Sequence, residues 1–274
     1  MHTVKTADVH IPALGFGTWP LKGEECEHMV TQALKAGFRH IDTAEMYGNE
    51  EAVGRGIKAS GVPRDEIFVT TKVWHTHLRD GQLQHAAEDS LQRLGLDHVD
   101  LYLIHWPSPE VALAEPIGAL NEVRERGLTR GIGVANFNVA LIEEASELTD
   151  APLSTNQVEY HLHLNQDPVR DACRKHQMAV TAYAPVARGK VLEEPLVKDI
   201  AQRHGKTPAQ IALRWLIQQE GVVAIPKTGN PDRLKENLGA YDFELAREEM
   251  EELTSLRRPD GRLVRMDVEP EWDT

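Results

Sequence analysis

Two apolar runs, Ile67-Phe68-Val69-Thr70-Thr71-Lys72-Val73 and Val99-Asp100-Leu101-Tyr102-Leu103-Ile104-His105-Trp106, bracket the amphipathic stretch Gly81–Leu94. Each run is short, rich in β-branched and aromatic residues and almost uninterrupted in its hydrophobicity. That is how a strand buried on both faces reads, and the intervening stretch carries helical spacing. The segment therefore predicts one β-α-β unit with parallel strands. The same alternation extends in both directions. Leu14–Trp19 and His40–Ala44 precede it, and Arg130–Asn136, Thr155–Tyr160, Ala179–Pro185 and Val222–Lys227 follow. Glu24–Lys35 and Ile142–Leu148 read as further helices. Thr207-Pro208-Ala209-Gln210 has the form of a capping box with proline at the first helical position, which predicts an extra helix before the last strand.

Eight such units in a chain of 274 residues predict an α/β fold, a (β/α)8 TIM barrel, rather than an open sheet. The barrel is expected as a single domain over residues 1–274, with an N-terminal hairpin under its floor and a C-terminal tail in loop conformation after Leu256. A hydrophobic content of 41% argues against disorder, and the net charge of −13 argues against nucleic acid or an anionic membrane surface as partner. Two distant cysteines, Cys26 and Cys173, form no disulfide framework or zinc spacing, and no run reaches the length of a membrane span. These features point to a cytoplasmic protein whose partner is a small molecule.

In such a barrel, chemistry sits where strands end and βα loops begin. There the second run delivers Asp42 and, past Thr43-Ala44, Tyr47; the third delivers Lys72 and the fourth His105. Taken singly, Asp42 reads as a helix cap, Tyr47 as a rim residue, Lys72 as a solvated cation and His105 as packing beside Trp106. Together an acid, a phenol, an amine and an imidazole converge on one mouth. Asp42 is expected to pair with Lys72, and that lysine to lower the pKa of Tyr47, making a proton donor for a carbonyl oxygen.

The motifs Gly15-Phe16-Gly17-Thr18-Trp19, Asp42-Thr43-Ala44 with Tyr47-Gly48-Asn49-Glu50, Thr71-Lys72-Val73-Trp74, Leu103-Ile104-His105-Trp106-Pro107, Gly131-Ile132-Gly133-Val134-Ala135-Asn136-Phe137 and Ile225-Pro226-Lys227 occur in this order along nearly the whole chain. In that order and spacing the chain resembles the aldo-keto reductase family. The short loop after His105 and the ending Arg262-Leu263-Val264 with Pro270-Glu271-Trp272-Asp273 resemble its bacterial 2,5-diketo-D-gluconate reductase branch, of B type. The resemblance implies carbonyl reduction by direct hydride transfer from NADPH, without a metal, and a monomer as the default state. It implies Asp42, Tyr47, Lys72 and His105 as the catalytic tetrad, with Tyr47 as general acid. It further implies Asn136 and Gln157 on the nicotinamide carboxamide and Tyr183 stacked on the ring. The turn Ala187-Arg188-Gly189 would hold the pyrophosphate. Lys227, Thr228, Asn230 and Arg233 would meet the adenosine phosphate, with Glu236 and Asn237 beside adenine. Lysine, arginine and hydroxyl groups are also what a phosphate requires chemically. Trp19, Trp74, Trp106 and Trp272, with Tyr47 and His105, would wall the substrate pocket. Ala135 stands where many members carry serine, and Gly229-Asn230 replaces a more basic phosphate loop.

Three other readings were weighed. The glycine pairs Gly15/Gly17, Gly54/Gly56 and Gly131/Gly133 are followed by Pro20, Ala59 and Asn136 instead of a third glycine, so no dinucleotide fingerprint of the Rossmann type exists. The pairs His75/His77 and His161/His163 would suit a metal hydrolase, but no carboxylate constellation accompanies them. A nucleotide-binding barrel with little turnover, a sensor or binding subunit, shares the fold and is separated from an enzyme only by assay.

Overall fold

The computed structural model describes residues 2–273. An antiparallel hairpin of β1 (Thr3–Lys5) and β2 (His10–Pro12) opens the chain. Then follow β3 (Phe16–Gly17), α1 (Gly23–Ala36), β4 (His40–Asp42), α2 (Glu50–Ser60), β5 (Phe68–Val73), α3 (Gln82–Leu94), β6 (Val99–Ile104), α4 (Ala114–Glu125), β7 (Thr129–Ala135), α5 (Val139–Leu148), β8 (Leu153–Glu159), α6 (Asp167–Lys175) and β9 (Ala179–Tyr183). Two helices, α7 (Pro195–His204) and α8 (Pro208–Ile217), precede β10 (Val222–Ala224), and α9 (Asp232–Leu238) and α10 (Arg247–Thr254) close the sequence of elements.

Strands β3 to β10 form one parallel sheet in sequence order. Its two edges meet: Leu14 bridges Ala224, Gly15 N–H donates to Ala224 O at 2.9 Å, and Gly17 N–H donates to Pro226 O at 3.0 Å. The sheet is thereby closed into the (β/α)8 barrel. The closing strands, at Phe16–Gly17 and Val222–Ala224, are shorter than the sequence predicts, and the backbone there is closely approached. A Cβ at Gly15 would lie 2.6 Å from His40 Nδ1, and one at Gly17 would lie 2.8 Å from Ile225 O. Only glycine permits this approach. The predicted capping box forms at α8: Thr207 Oγ1 accepts from Gln210 N–H, and Gln210 Oε1 accepts from Thr207 N–H at 2.9 Å. The hairpin lies at the N-terminal end of the strands, where Asp8 pairs with Arg124 at 2.8 Å.

Period-two alternation sorts the strand residues. On β5, Thr71 points outward, its hydroxyl donating to Glu50 of α2 at 2.5 Å. Thr70 and Lys72 point into the barrel, Thr70 against His40 Nε2 at 3.1 Å and Lys72 against Asp42 one layer higher. The interior is filled, and its uppermost polar layer forms the floor of the mouth. No helix among the described residues is long and apolar enough to cross a membrane.

Candidate active site

Asp42 ends β4 and Lys72 lies one residue from the end of β5. Lys72 is fully buried; its Nζ donates to Asp42 Oδ1 at 2.6 Å and to Thr43 O at 2.8 Å. Asp42 Oδ2 accepts from Gln157 Nε2 at 2.7 Å. A buried carboxylate and ammonium are tolerable only when their remaining hydrogen-bonding capacity is met, and here Thr43 and Gln157 meet it. Burial pushes the Lys72 ammonium below its ordinary range, and Asp42 pulls it back.

Tyr47 sits on the short 3-10 turn Glu45–Tyr47, its backbone carbonyl held by Lys22 Nζ. Lys72 Nζ lies 5.1 Å from the Tyr47 ring centroid. The His105 ring stands edge-on to Tyr47 at 5.6 Å and to Trp74 at 5.2 Å. His105 follows β6 in phase with Leu103, which aims it at the mouth. Its Nδ1 is buried without a hydrogen-bond partner among the described residues. Burial first, then the Lys72 and His75 charges, hold its pKa well below the ordinary histidine value, so the ring is neutral.

One electrostatic expectation is corrected. Tyr47 is raised well above the ordinary phenol value, by burial foremost, then by the Asp42 charge and Tyr183. Lys72 does not depress it: burial and the Asp42 charge set the direction. Tyr47 is thus a firmly protonated phenol.

Asn136 follows β7 with a left-handed backbone, φ 62°, a conformation costly for a side-chain-bearing residue. Its Nδ2 donates to His105 O at 2.9 Å, and its Oδ1 accepts from Tyr183 hydroxyl at 2.9 Å. Asn136, Gln157 and Tyr183 are thereby brought onto the same floor as Asp42 and His105. Their amide groups bond within the protein: Gln157 braces Asp42, a role its sequence position does not reveal.

Past β9, Ala187, Arg188 and Gly189 carry φ of 47°, 54° and 95° in succession, a tightly coiled loop. Past β10, Lys227 and Arg233 are exposed and make no ion pair among the described residues, whereas Thr228 is buried and its hydroxyl accepts from Asn230 N–H at 3.0 Å. Asn237 is buried, and Glu236 accepts from Thr207 hydroxyl at 2.8 Å, which ties it to α8.

The four tryptophans separate. Trp19 is 48% exposed and tilts against Tyr47 at 5.1 Å; Trp74 flanks His105. Trp106 is buried, and Trp272 meets it edge-on at 6.4 Å. The tail carrying Trp272 has loop conformation, as expected, yet it is fastened. Buried Glu159, at the end of β8, accepts from the N–H groups of Leu263 and Val264, both at 2.8 Å, and from His161 Nε2 at 2.8 Å. Burial raises the Glu159 carboxyl, but these donors outweigh it and hold its pKa below the ordinary range. Val139 N–H and Asn138 Nδ2 bind the last described residues, Asp273 and Glu271. Glu159 and Glu45, which accepts from Trp74 N–H at 2.8 Å, escape sequence reasoning because their partners are remote in the chain. The His-x-His pairs divide as well. His161 and His163 lie in the turn after β8; His161 Nε2 bonds to Glu159 at 2.8 Å, and His163 Nε2 lies 2.8 Å from Glu194 Oε1. His77 reaches Glu45 at 2.7 Å. No group of metal-ligating side chains gathers among the described residues.

A closed parallel barrel whose C-terminal mouth gathers an acid, an amine, a phenol and an imidazole is the scaffold of an oxidoreductase class. The Aldo/keto reductase family profile matches residues 13–258. An aldo-keto reductase of Mycobacterium avium is 45% identical over 94% of this chain and 89% of its own. A crystal structure that carries the assignment 2,5-diketo-D-gluconic acid reductase B is 50% identical, covers 100% of this chain and 98% of its own, and superposes with a TM-score of 0.98. The aldose reductase of Schistosoma japonicum, 32% identical over 94% of each chain, superposes at 0.89. The chain belongs to the aldo/keto reductase family.

Proposed function

We propose that the protein is an NADPH-dependent reductase that converts aldehyde and ketone carbonyls to alcohols, with Tyr47 as general acid. The observation that carries this reading is the buried Asp42–Lys72 pair beside a protonated Tyr47 and a neutral His105. When bound, NADPH supplies the hydride to the carbonyl carbon. Tyr47 gives its proton to the carbonyl oxygen. Lys72, 5.1 Å from the ring, stabilises the phenolate left behind, and Asp42 fixes the lysine. His105 offers the carbonyl oxygen a neutral imidazole, which orients it without competing as an acid.

The residues present fit the dinucleotide. Unpaired cations at 227 and 233 suit a phosphate, the coiled loop at 187–189 suits a pyrophosphate, and Tyr183, Asn136 and Gln157 frame the floor between them. The likeness to the structure assigned as a diketogluconate reductase supports 2,5-diketo-D-gluconate as substrate, alongside methylglyoxal and other small aldehydes. A cytoplasmic setting accords with two buried free thiols, Cys26 and Cys173, whose pKa values burial raises to about 11 and about 12. A monomer accords with exposed large hydrophobics limited, among the described residues, to Trp19, Met46 and Leu148.

Mixing the protein with NADPH and each carbonyl compound tests the reading. Steady loss of absorbance near 340 nm is expected. Tight nucleotide binding with no turnover on the whole panel would return the protein to a binding role.

A further inference from the structure

Arg262 lies in the tail with its guanidinium carbon 3.5 Å from the centroid of the Trp272 ring. Its Nη1 is buried and, among the described residues, has no hydrogen-bond partner. Among the described residues the side chain forms no ion pair. The nearby carboxylates are engaged elsewhere: Glu159 by His161 and the Leu263 and Val264 N–H groups, Glu269 by Arg265 at 3.3 Å and Trp272 Nε1 at 3.1 Å. A guanidinium cannot escape burial by losing its proton, so a half-buried one with an unmet donor costs stability unless something pairs with it. Burial weakens its hold on the proton, and Tyr183 and Glu159 only partly offset this. The surroundings indicate what the partner is. Trp272 faces Trp106, which follows His105 in the chain, and the Tyr183 phenol is among the groups whose charge Arg262 feels. A substrate whose carbonyl rests between Tyr47 and His105 and which extends along Trp106 and Trp272 ends at Arg262.

Resting on the reductase reading above, we infer that Arg262 anchors a carboxylate on the substrate, so that the preferred carbonyl compounds are oxo acids rather than neutral aldehydes. The planar fork matches a carboxylate, and Trp272 holds the fork flat from one side. Lys227 sits on the loop after β10 and Arg233 in the first turn of α9, and neither is among the charges felt by Arg262. This separates the carboxylate anchor from the phosphate subsite.

The test compares 4-carboxybenzaldehyde with its neutral methyl ester, with NADPH as reductant, in wild type, Arg262→Gln and Arg262→Lys. Wild type favours the acid. Arg262→Gln lowers the acid-to-ester ratio of kcat/KM by about tenfold to a hundredfold, chiefly through KM. Arg262→Lys, which keeps the charge but loses the fork, falls between. A ratio that does not move overturns the assignment, as does an equal loss for both substrates, which would make Arg262 a prop for Trp272. Weakened NADPH binding with an unchanged ratio overturns it in favour of a nucleotide phosphate. Should Arg262→Gln fail to fold, the wild-type ratio and the Arg262→Lys ratio decide, since absence of acid preference in wild type sinks the proposal. Quenching of tryptophan fluorescence by 4-carboxybenzaldehyde reads the anchor without turnover. Absence of reduction therefore counts against the reductase reading, and absence of Arg262-dependent quenching against this one.

Discussion

Lys72 Nζ sits 2.6 Å from Asp42 Oδ1 with both side chains withdrawn from solvent, and Gln157 and Thr43 complete the shell around the two charges. The pair is a place where function and stability are coupled, because neither partner tolerates the other's removal. Lys72→Met is expected to abolish carbonyl reduction and to cost about 3–5 kcal/mol, since Asp42 would remain as an uncompensated buried charge. Urea denaturation checks the cost. Adding Asp42→Asn to Lys72→Met should recover stability without recovering activity. Survival of both melting temperature and turnover in Lys72→Met would contradict the assignment.

Tyr47→Phe removes one oxygen from a site where that hydroxyl makes no hydrogen bond among the described residues. Folding stability should change little. Turnover should fall about 10²-fold or more, the range of general acid catalysis. Steady-state kinetics beside a thermal melt separate the two effects, and near-normal turnover would remove Tyr47 from the mechanism.

Acidification should unfold the protein earlier than its carboxylates alone would dictate. His105 and His40 have native pKa values below the ordinary 6.5, both chiefly through burial. Below about pH 6.5 the unfolded chain binds protons that these native rings refuse. Each ring therefore removes stability as pH falls from 6.5 toward its native pKa, by up to about 1.4 kcal/mol per pH unit, and contributes no such loss above 6.5. Urea midpoints at pH 7.5, 6.5 and 5.5 measure the slope. His105→Asn should flatten it; an unchanged slope would mean that the ring is protonated in the native state.

Arg233→Ala should weaken NADPH by about tenfold to a hundredfold through the charge-assisted bonds it removes, and NADH far less. Added salt should mimic the effect in wild type, because Arg233 and Lys227 are exposed and screened. Fluorescence titration of both nucleotides is the measurement. Parallel losses for the two would assign Arg233 to adenine or to the fold.

Glu159→Gln replaces a double acceptor facing two backbone donors with a group that has one acceptor, so the tail should come loose. Trypsin should then cleave faster after Arg257, Arg262 and Arg265, while the barrel core resists. Cleavage at the wild-type rate would show that Asn138 and Val139 hold the tail unaided.

The sequence carries the barrel in its repeated alternation of buried strands and amphipathic helices, and it carries the mouth because Asp42, Lys72 and His105 stand at or beside the ends of such runs. Its signal fades where structure depends on remote contacts. Glu159 and Leu263 are 104 residues apart, and no local pattern announces their bond. The direction of the Tyr47 shift depends on burial and on the Asp42 charge, and adjacency on a list of strand ends does not convey how deeply the ring is buried. The first and last strands read too long because apolar character runs on past the residues whose hydrogen bonds join the two edges, and those partners are remote in the chain. Gln157 fits an inward position on β8, but its hold on Asp42 depends on how the barrel curves.

The fastening of the tail bears on how such enzymes diversify. On the tail side the Glu159 clasp uses the N–H groups of Leu263 and Val264 and no side chain. Any residue except proline presents the same donors. Part of the tail is thus a cassette: the side chains of Arg262 and Trp272 can be exchanged while the barrel's carboxylate holds the backbone in the same register, whereas Arg257 on Asp167, Gly261 against His163 O and Asp273 on Val139 N–H stay fixed. Transplanting C-termini between barrels that keep a glutamate at this strand end would carry over the substrate wall and leave the proton-donating floor untouched.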